Sequence, residues 1–281
     1  MKSKLKNKII IGSANFNQLY GIRRNSIVKA EIKKLFKVAI KNNIRFIDTS
    51  PHYNQSEKII GSLGNNNFKV ISKIPKIPEG IKRKNIQKWV KSKALISLKN
   101  LKVKKFEYLL LQDVNSLLGK NGVEIYKSTK NIKDMGLTKK IGISIYDFNT
   151  LGEILRKFKF DLIQVPLNIL DQRLLKTGWL ERLKKKKIKV HIRSVFLQGV
   201  LLLKYNQLPK KLKKLKKNWI AWETWLKKNK FTPLQACLSF VFNQTKLDGI
   251  VMGCDNENQL RQILNQKKTK NRILISNFNI H

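Results

Sequence analysis

The sequence predicts an α/β fold, a single (β/α)8 TIM barrel over residues 1–281. Short β-branched or apolar runs alternate with longer segments of helical period, which is typical of a parallel sheet with crossover helices. Eight such runs can be distinguished, and eight strand–helix units over 281 residues match a closed barrel better than an open doubly wound sheet. The phosphate-binding patterns GxGxxG and GxxxxGK[ST], which would favour the open sheet, do not occur in the sequence.

The predicted strands follow one another at intervals that leave room for a helix in between. They span residues 9–13, 45–48, 69–73, 108–111, 141–144, 162–165, 189–194 and 249–252. The first apolar run follows lysines as the core of a signal peptide would, but it is too short for one, and we interpret it as the first strand. In the next segment, an i, i+3, i+4, i+7 spacing predicts a helix with one buried face, formed by Ile32, Leu35, Phe36 and Ala39.

A lysine-rich stretch, residues 204–230, carries an apolar stripe at helical spacing. The stripe consists of Leu212, Leu215, Trp219, Trp222 and Leu226. Such a stripe could face a membrane or pack on the barrel. Packing is favoured, because a long segment after a barrel strand needs an apolar face with which to dock.

Composition excludes several classes of protein. The 42% of hydrophobic residues is too high for a disordered chain, and apolar runs such as residues 200–203 are far shorter than the ~18 residues of a membrane span. Cys237 and Cys254 form no CxxC pair and cannot build a disulfide framework or a structural zinc site. We therefore expect no membrane span, and a reducing, cytoplasmic setting.

The charge is strongly positive, with 60 Lys and Arg against 17 Asp and Glu and a formal net charge of +43. This charge would suit a nucleic acid or an anionic surface. However, 50 of the basic residues are lysines spread along the whole chain, whereas specific recognition favours arginine. We therefore favour a compositional bias and no specific nucleic-acid partner, with residues 184–187 and 210–217 as candidate anion patches.

Barrel enzymes place their chemistry at the C-terminal ends of the strands. Asp48 closes the second predicted strand, Lys73 closes the third, and Tyr53 lies on the loop after Asp48. A lysine charge about 4 Å from a tyrosine is worth roughly 4 kcal/mol to the phenolate, enough to lower its pKa by about 3 units. These residues could form a proton-donating unit. They could equally be an ion pair beside an unrelated tyrosine, and their spacing alone does not decide between the two.

Residues 48–57, DTSPHYNQSE, resemble the aldo-keto reductase segment D-T-[AS]-x-x-Y-G-x-[SA]-E, with Asn54 in place of the glycine. Further matches follow in order: the strand-closing Lys73, the sequence IGIS at 141–144, Gln164, and a loop at 194–201 that resembles S-P-L-x-x-G-L-L. The RSVFLQG stretch at 193–199 is similar to a bacterial branch associated with surface-sugar biosynthesis. The family consists of (β/α)8 barrels that move hydride between NADPH, sometimes NADH, and a carbonyl carbon without a metal.

The resemblance implies roles for residues spread over most of the chain. Tyr53 would be the general acid, with Asp48 and Lys73 tuning it. The residues that would hold the cofactor are Ser144 and Gln164 at the nicotinamide, Ser194, Gln198 and Gly199 around the pyrophosphate, and Gly253 at the eighth strand. Each has a simpler alternative, since strand-end polar groups often satisfy backbone atoms and loop glycines are common.

Two departures concern the chemistry. Gln112 closes the fourth strand where the family usually has a histidine, and its amide can donate a hydrogen bond but cannot titrate. Arg193 stands where an aromatic residue often stacks on the nicotinamide. Arg193 could bind an anionic substrate, bind the pyrophosphate, or form a buried ion pair.

Two further departures concern the cofactor. Ile145 replaces the usual asparagine, and Gln259 occupies the place of the arginine that clamps the 2′-phosphate, with Asp255 nearby. A carboxylate would repel that phosphate. NADPH is the expected cofactor, and NADH is a credible alternative.

We therefore expect an NAD(P)H-dependent oxidoreductase that reduces an aldehyde, ketone or sugar carbonyl of a small-molecule substrate, with Tyr53 as the general acid. The alternative is a catalytically weakened barrel that senses a cofactor or binds a partner, which the departures at Gln112 and Ile145 would suit.

Overall fold

The computed structural model describes residues 7–16, 19–21, 26–64 and 67–266. Eight parallel strands close into a barrel in sequence order, with the eighth strand paired to the first. The strands are β1 (Ile9–Gly12), β2 (Phe46–Asp48), β3 (Lys69–Ile74), β4 (Phe106–Leu111), β5 (Thr138–Ser144), β6 (Leu162–Pro166), β7 (Lys189–Arg193) and β8 (Gly249–Gly253). The predicted (β/α)8 barrel is confirmed.

All eight predicted strands are present, and the largest discrepancy is at β5. This strand begins at Thr138, earlier than predicted, because polar residues at its start conceal the strand in the sequence. Lys139 lies on this concealed part, and its Nζ is 2.8 Å from Glu107 Oε2 on the neighbouring β4. The ion pair lets a charged residue extend the sheet on a solvent-facing side.

Ten α-helices lie between and around the strands in the described residues. They are α1 (Lys29–Lys41), α2 (Ser56–Ser62), α3 (Ile86–Leu101), α4 (Gly122–Asp134), α5 (Leu151–Lys157), α6 (Arg173–Lys176), α7 (Trp179–Lys185), α8 (Lys216–Lys228), α9 (Pro233–Phe242) and α10 (Glu257–Asn265). Short 3-10 helices occur at Arg83–Asn85, Asn115–Leu118, Val200–Leu202, Tyr205–Gln207 and Lys210–Leu215. The predicted buried face of α1 is confirmed, since all four of its predicted residues belong to the core.

The lysine-rich stretch packs on the barrel, as expected. Trp219 and Trp222 on α8 are fully buried, and Leu226 is buried beside them. The indole Nε1 of Trp219 donates to the carbonyl oxygen of Leu203 at 3.1 Å. Because the part of the apolar stripe that lies on α8 is covered by the protein itself, it is not available to a membrane.

Gly142, in the IGIS sequence, is required by the close approach of β5 to β6. A Cβ atom at this position would lie 2.3 Å from the carbonyl oxygen of Leu162 and 2.8 Å from Leu110 Cδ2. Neither distance is sterically possible without a shift of the β6 backbone. The glycine therefore sets the spacing of the two strands that carry Ser144 and Gln164.

A small cluster fills the barrel interior and consists of Ile10, Ile71, Tyr108, Leu110 and Leu162. His191 on β7 is buried next to it, with its ring edge-on to Tyr108 at a centroid distance of 5.6 Å. Burial lowers the pKa of His191 to about 4, so the imidazole is neutral at pH 7. This histidine is a packing residue of the barrel interior.

No helix within the described ranges is long and apolar enough to cross a membrane. Cys237 and Cys254 are both buried and unbridged. The predicted single domain covers residues 1–281, which includes both ends of the chain. Residues 1–6 and 267–281 lie outside the described residues. The single domain therefore stays a prediction.

Candidate active site

A cavity of about 450 Å³ opens at the C-terminal ends of the barrel strands. Most of the residues singled out from the sequence line this cavity: Asp48, Tyr53, Lys73, Gln112, Ser144, Ser194, Gln198, Gly199 and Gly253. Gln164 is fully buried and lies behind the lining. The barrel thus brings together side chains from strands that are far apart in the sequence.

Asp48 and Lys73 form a buried ion pair beneath the cavity. Lys73 Nζ lies 2.7 Å from Asp48 Oδ1, and both side chains are at most 5% exposed. Lys73 Nζ also donates to the carbonyl oxygen of Thr49 at 2.8 Å. Because β2 and β3 are adjacent and parallel, their ends place the carboxylate and the ammonium side by side.

Gln164 completes the hydrogen bonding of this pair. Its Nε2 donates to Asp48 Oδ2 at 2.7 Å, and its Oε1 accepts from Ser144 Oγ at 3.1 Å. Both ends of the amide are therefore occupied within the protein. Sequence reasoning missed this link, since it assigned Gln164 to the cofactor alone; the register of β5 and β6, which pairs Ser144 with Gln164, is the signal that identifies it.

Tyr53 lies beside the ion pair and is half-buried. Lys73 Nζ is 5.5 Å from the centroid of the tyrosine ring. Burial raises the pKa of Tyr53 above its usual value, Asp48 raises it further, and Arg193 opposes both. Burial and Asp48 therefore outweigh the lowering expected from Lys73, whose ammonium is paired with Asp48 at 2.7 Å.

Gln112 follows β4 and reaches the cavity from the side of Ser50. Its Oε1 accepts a hydrogen bond from Ser50 Oγ at 3.3 Å. With the amide oxygen held in this way, the Nε2 group is the donor that a ligand in the cavity can use.

Arg193 ends β7 and stacks on Tyr146. Its Cζ lies 3.8 Å from the centroid of the Tyr146 ring, and its Nη2 donates to the carbonyl oxygen of Ile145 at 2.9 Å. No carboxylate lies within 4 Å of Arg193 in the part of the chain that the structure describes. The expected alternative of a buried ion pair is therefore not found there. Tyr146 was missed in the sequence, although an aromatic residue just after the strand-closing Ser144 could have indicated it.

The loop after β7 has an unusual backbone. The φ angles of Ser194, Leu197, Gln198 and Gly199 are 62°, 47°, 56° and 89°. Left-handed backbone at three non-glycine residues is strained and is concentrated at functional sites. A Cβ atom at Gly21 would lie 3.0 Å from the carbonyl oxygen of Gln198, so this loop contacts the segment 19–21 at the mouth of the cavity.

The end of β8 supplies an acidic side of the cavity. Asp255 Oδ1 accepts from Asn15 Nδ2 at 2.9 Å, and Asp255 Oδ2 accepts from Gln259 Nε2 at 3.3 Å. Gly253 faces open space, because a Cβ atom there would have no neighbour within 4 Å.

These features fit a nicotinamide cofactor. Asn15 Oδ1 is buried at the cavity without a hydrogen-bond partner in the described residues, so an acceptor is left for a ligand. The open backbone at Gly253 allows close approach of a ligand. Ser144, Ser194, Gln198 and Gly199 lie along the same cavity and offer hydroxyl, amide and backbone groups.

A model of the Aldo/keto reductase family matches residues 8–271. The chain belongs to the aldo/keto reductase family. The resemblance of its motifs to this family is thereby confirmed. No curated protein matches the sequence.

Solved structures share the fold of this aldo/keto reductase. An aldo-keto reductase from Pseudomonas aeruginosa is 19% identical, covers 92% of this chain and 88% of its own, and superposes with a TM-score of 0.66. Aldo-keto reductase AKR11C1 from Bacillus halodurans, in its holo form, is 16% identical over 92% and 85%, with a TM-score of 0.69. Glycerol dehydrogenase AKR11B4 from Gluconobacter oxydans is 17% identical over 92% and 85%, with a TM-score of 0.67. Identities this low show the fold alone.

Asn54 explains how this aldo/keto reductase keeps the family's turn after the tyrosine. The position is a glycine in the family segment, and Asn54 has φ 43°. Asparagine is among the few residues that adopt left-handed backbone readily, because its short polar side chain can bond locally. The substitution therefore preserves the path of the loop that carries Tyr53.

Proposed function

We propose that this aldo/keto reductase uses NAD(P)H to reduce an aldehyde, ketone or sugar carbonyl to an alcohol, with Tyr53 as the general acid. The observation that carries the proposal is the position of the Tyr53 ring, 5.5 Å from the ammonium of a fully buried Lys73–Asp48 pair and at the wall of the cavity. This arrangement supports a proton donor held in one orientation beside a ligand.

The bound nicotinamide supplies the hydride, which is chemistry of the cofactor. Ser144, Ser194, Gln198, Gly199 and Gly253 would hold it, and all of them line the cavity. Gln164 would act indirectly: it accepts the 3.1 Å hydrogen bond from the Ser144 hydroxyl and so orients Ser144 toward the cofactor.

The protein's own part is to bind the carbonyl oxygen and to protonate it. The Tyr53 hydroxyl and the Gln112 Nε2 group donate hydrogen bonds to that oxygen and polarise the carbonyl. A raised pKa keeps Tyr53 protonated and therefore able to donate. An alkoxide is far more basic than a phenolate, so Tyr53 still gives up its proton once charge develops on the oxygen.

The two cofactors differ at the adenosine end. Family resemblance favours NADPH, whereas the acidic side of this cavity favours NADH. Asp255 occupies that side, and the lining residues there include no cation among those described. A carboxylate repels a 2′-phosphate and can accept a hydrogen bond from a ribose 2′-hydroxyl.

Replacement of Tyr53 tests the proposal. A carbonyl screen with NADH and NADPH identifies a substrate, and Tyr53→Phe should then lower kcat at least about 100-fold while the cofactor Kd stays the same. Tyr20→Phe is the matched control, since it removes a phenol from the mouth of the same cavity. Near-full activity of Tyr53→Phe on that substrate would refute the assignment.

Gln112 supports a second candidate, a cofactor-sensing or interaction protein. Gln112 cannot titrate, so any proton relay that requires the family's histidine is lost. This candidate predicts saturable cofactor binding without turnover of any carbonyl compound, and no difference between Tyr53→Phe and the wild type.

The unbridged Cys237 and Cys254 support a reducing, cytoplasmic setting. The single domain over residues 1–281 is consistent with a barrel whose first and last strands pair directly.

A further inference from the structure

The charges that line the cavity are few. In a chain of formal net charge +43, the charged side chains of the described lining are Asp48, Lys73, Arg193 and Asp255. Asp48 and Lys73 neutralise each other at 2.7 Å. Among the described lining residues, this leaves Arg193 as the one positive charge without a carboxylate partner.

Arg193 has donors that no described residue uses. Nη2 donates to the Ile145 carbonyl oxygen, and Nη1 contacts Ser194 Oγ at 3.4 Å. A guanidinium has five N–H groups, so several remain without a partner in the described structure. Tyr146 covers one face of the guanidinium and, together with the two contacts, holds it in one orientation. A fixed, half-buried guanidinium with unused donors is suited to bidentate binding of an oxyanion.

Arg193 lies at the end of the cavity where Tyr53 acts. Burial and Asp48 dominate the raised pKa of Tyr53, and Arg193 is the cation that opposes them. Arg193 stacks on Tyr146 at 3.8 Å, and both residues line the same cavity as Tyr53 and Tyr20. Asp255 and Gln259 also line the cavity, but they follow β8 and are hydrogen-bonded to each other there.

We propose that Arg193 is a specificity-determining residue that binds an acidic group of the substrate, so that the preferred substrates are carbonyl compounds bearing a carboxylate or a phosphate. The inference rests on the proposed function and adds the substrate class to it. Ser194 adds a hydroxyl donor next to the guanidinium. A neutral carbonyl compound would leave the Arg193 donors unpaired in a half-buried site, which disfavours it relative to an acidic one.

Matched substrate pairs test the proposal. The pairs are succinic semialdehyde against butanal, and glyceraldehyde 3-phosphate against glyceraldehyde. The ratio of kcat/KM within each pair is measured for the wild type, Arg193→Gln, Arg193→Lys and Arg182→Gln in 200 mM salt. Arg182 is the control, because it also stacks on an aromatic ring, Trp179 at 4.2 Å, but lies away from the cavity.

In at least one pair, the wild type should prefer the acidic member. Arg193→Gln should reduce that preference about tenfold or more, Arg193→Lys should retain part of it, and Arg182→Gln should keep it in full. The pair that responds tells a carboxylate from a phosphate. An unchanged ratio in Arg193→Gln overturns the proposal. If the kcat/KM ratio of Arg193→Gln is unchanged while its NADH affinity is tenfold weaker, Arg193 binds the pyrophosphate of the cofactor, and the proposal is likewise overturned.

Calorimetric binding of succinate and inorganic phosphate keeps the proposal testable if the enzyme reduces none of the four aldehydes. A failure to reduce all four aldehydes counts against the proposed function. The binding of the two anions still decides the role of Arg193. Weaker binding in Arg193→Gln than in Arg182→Gln supports the proposal. Equal binding by the two variants overturns it.

Discussion

Gln164 Nε2 donates to Asp48 Oδ2 at 2.7 Å, while the other oxygen of the same carboxylate lies 2.7 Å from Lys73 Nζ. Both oxygens of Asp48 thus have a strong partner, although the carboxylate is removed from water. A buried ion pair of this kind contributes little by itself, but loss of one partner leaves an uncompensated charge. The consequence can be measured as a change in stability.

Lys73→Met should lower the free energy of unfolding by about 3–5 kcal/mol, because Asp48 is left charged and buried. The double variant Asp48→Asn/Lys73→Met should recover part of this loss, since no charge then remains. Urea denaturation measures both. Lys76→Met is the control: Lys76 pairs with Glu79 at 2.8 Å, but both side chains are more than 60% exposed, and no measurable change is expected. Equal losses for Lys73→Met and the double variant would contradict this account.

The pH dependence of the reaction should report the raised pKa of Tyr53. Burial, then Asp48, raises this pKa, so Tyr53 stays protonated up to at least pH 10 and kcat/KM for carbonyl reduction should be flat from pH 7 to 10. Alcohol oxidation needs the tyrosinate and should rise about tenfold per pH unit over the same range. Initial rates with a non-ionising aldehyde and alcohol provide the measurement. A tenfold fall in reduction between pH 7 and 9 would instead indicate a lowered pKa.

His191 should make the stability of the barrel depend on pH. Desolvation lowers its pKa from 6.5 to about 4 in the folded state, with Asp48 and Asp248 partly opposing it. The unfolded chain therefore binds a proton that the folded chain does not, and stability falls as the pH drops from 6.5 towards 4. Neutral His191 thus accounts for about 3 kcal/mol of the free energy of unfolding. This amount is present in full above pH 6.5 and is lost as the pH falls to 4.

The measurement is the free energy of unfolding from pH 7.5 to 4. Between pH 7.5 and 4, the free energy of unfolding should fall by about 3 kcal/mol less in His191→Gln than in the wild type. This difference is expected whatever the effect of the substitution at pH 7.5. His52→Gln is the control, because His52 is exposed in the fold. The same pH slope in His191→Gln and the wild type would show that His191 is not the group responsible.

The sequence predicts the barrel well because buried parallel strands leave a direct signature. The runs at β1 and β6 are almost entirely apolar, and the polar residues near the C-terminal ends of β2 and β3 identify Asp48 and Lys73 as site residues. The predicted strand bounds fail where a cross-strand ion pair replaces apolar contacts, as at Lys139.

The sequence predicts which residues form the site better than it predicts the contacts between them. Which atoms of Gln164 are used depends on the register between β5 and β6, and the stacking of Arg193 on Tyr146 joins two strand ends that are distant in the sequence. The pKa of Tyr53 could not be derived from the presence of a lysine, because its sign depends on burial and on whether Asp48 neutralises Lys73.

The choice between NADH and NADPH should depend on Asp255. Asp255→Asn removes the negative charge but keeps an oxygen that can accept from Asn15 Nδ2, as Asp255 Oδ1 does at 2.9 Å. NADPH affinity should therefore rise relative to NADH by about tenfold, because repulsion of the 2′-phosphate is removed.

Quenching of tryptophan fluorescence at 200 mM salt gives both dissociation constants, with ATP as a test for unspecific anion binding to this basic chain. Asp134→Asn is the charge-matched control, since Asp134 ends α4 at the opposite, N-terminal face of the barrel and is exposed. It should leave the NADPH to NADH ratio unchanged. If Asp255→Asn shifts both affinities equally, the carboxylate does not face the 2′-position, and the family's preference for NADPH would then be expected here.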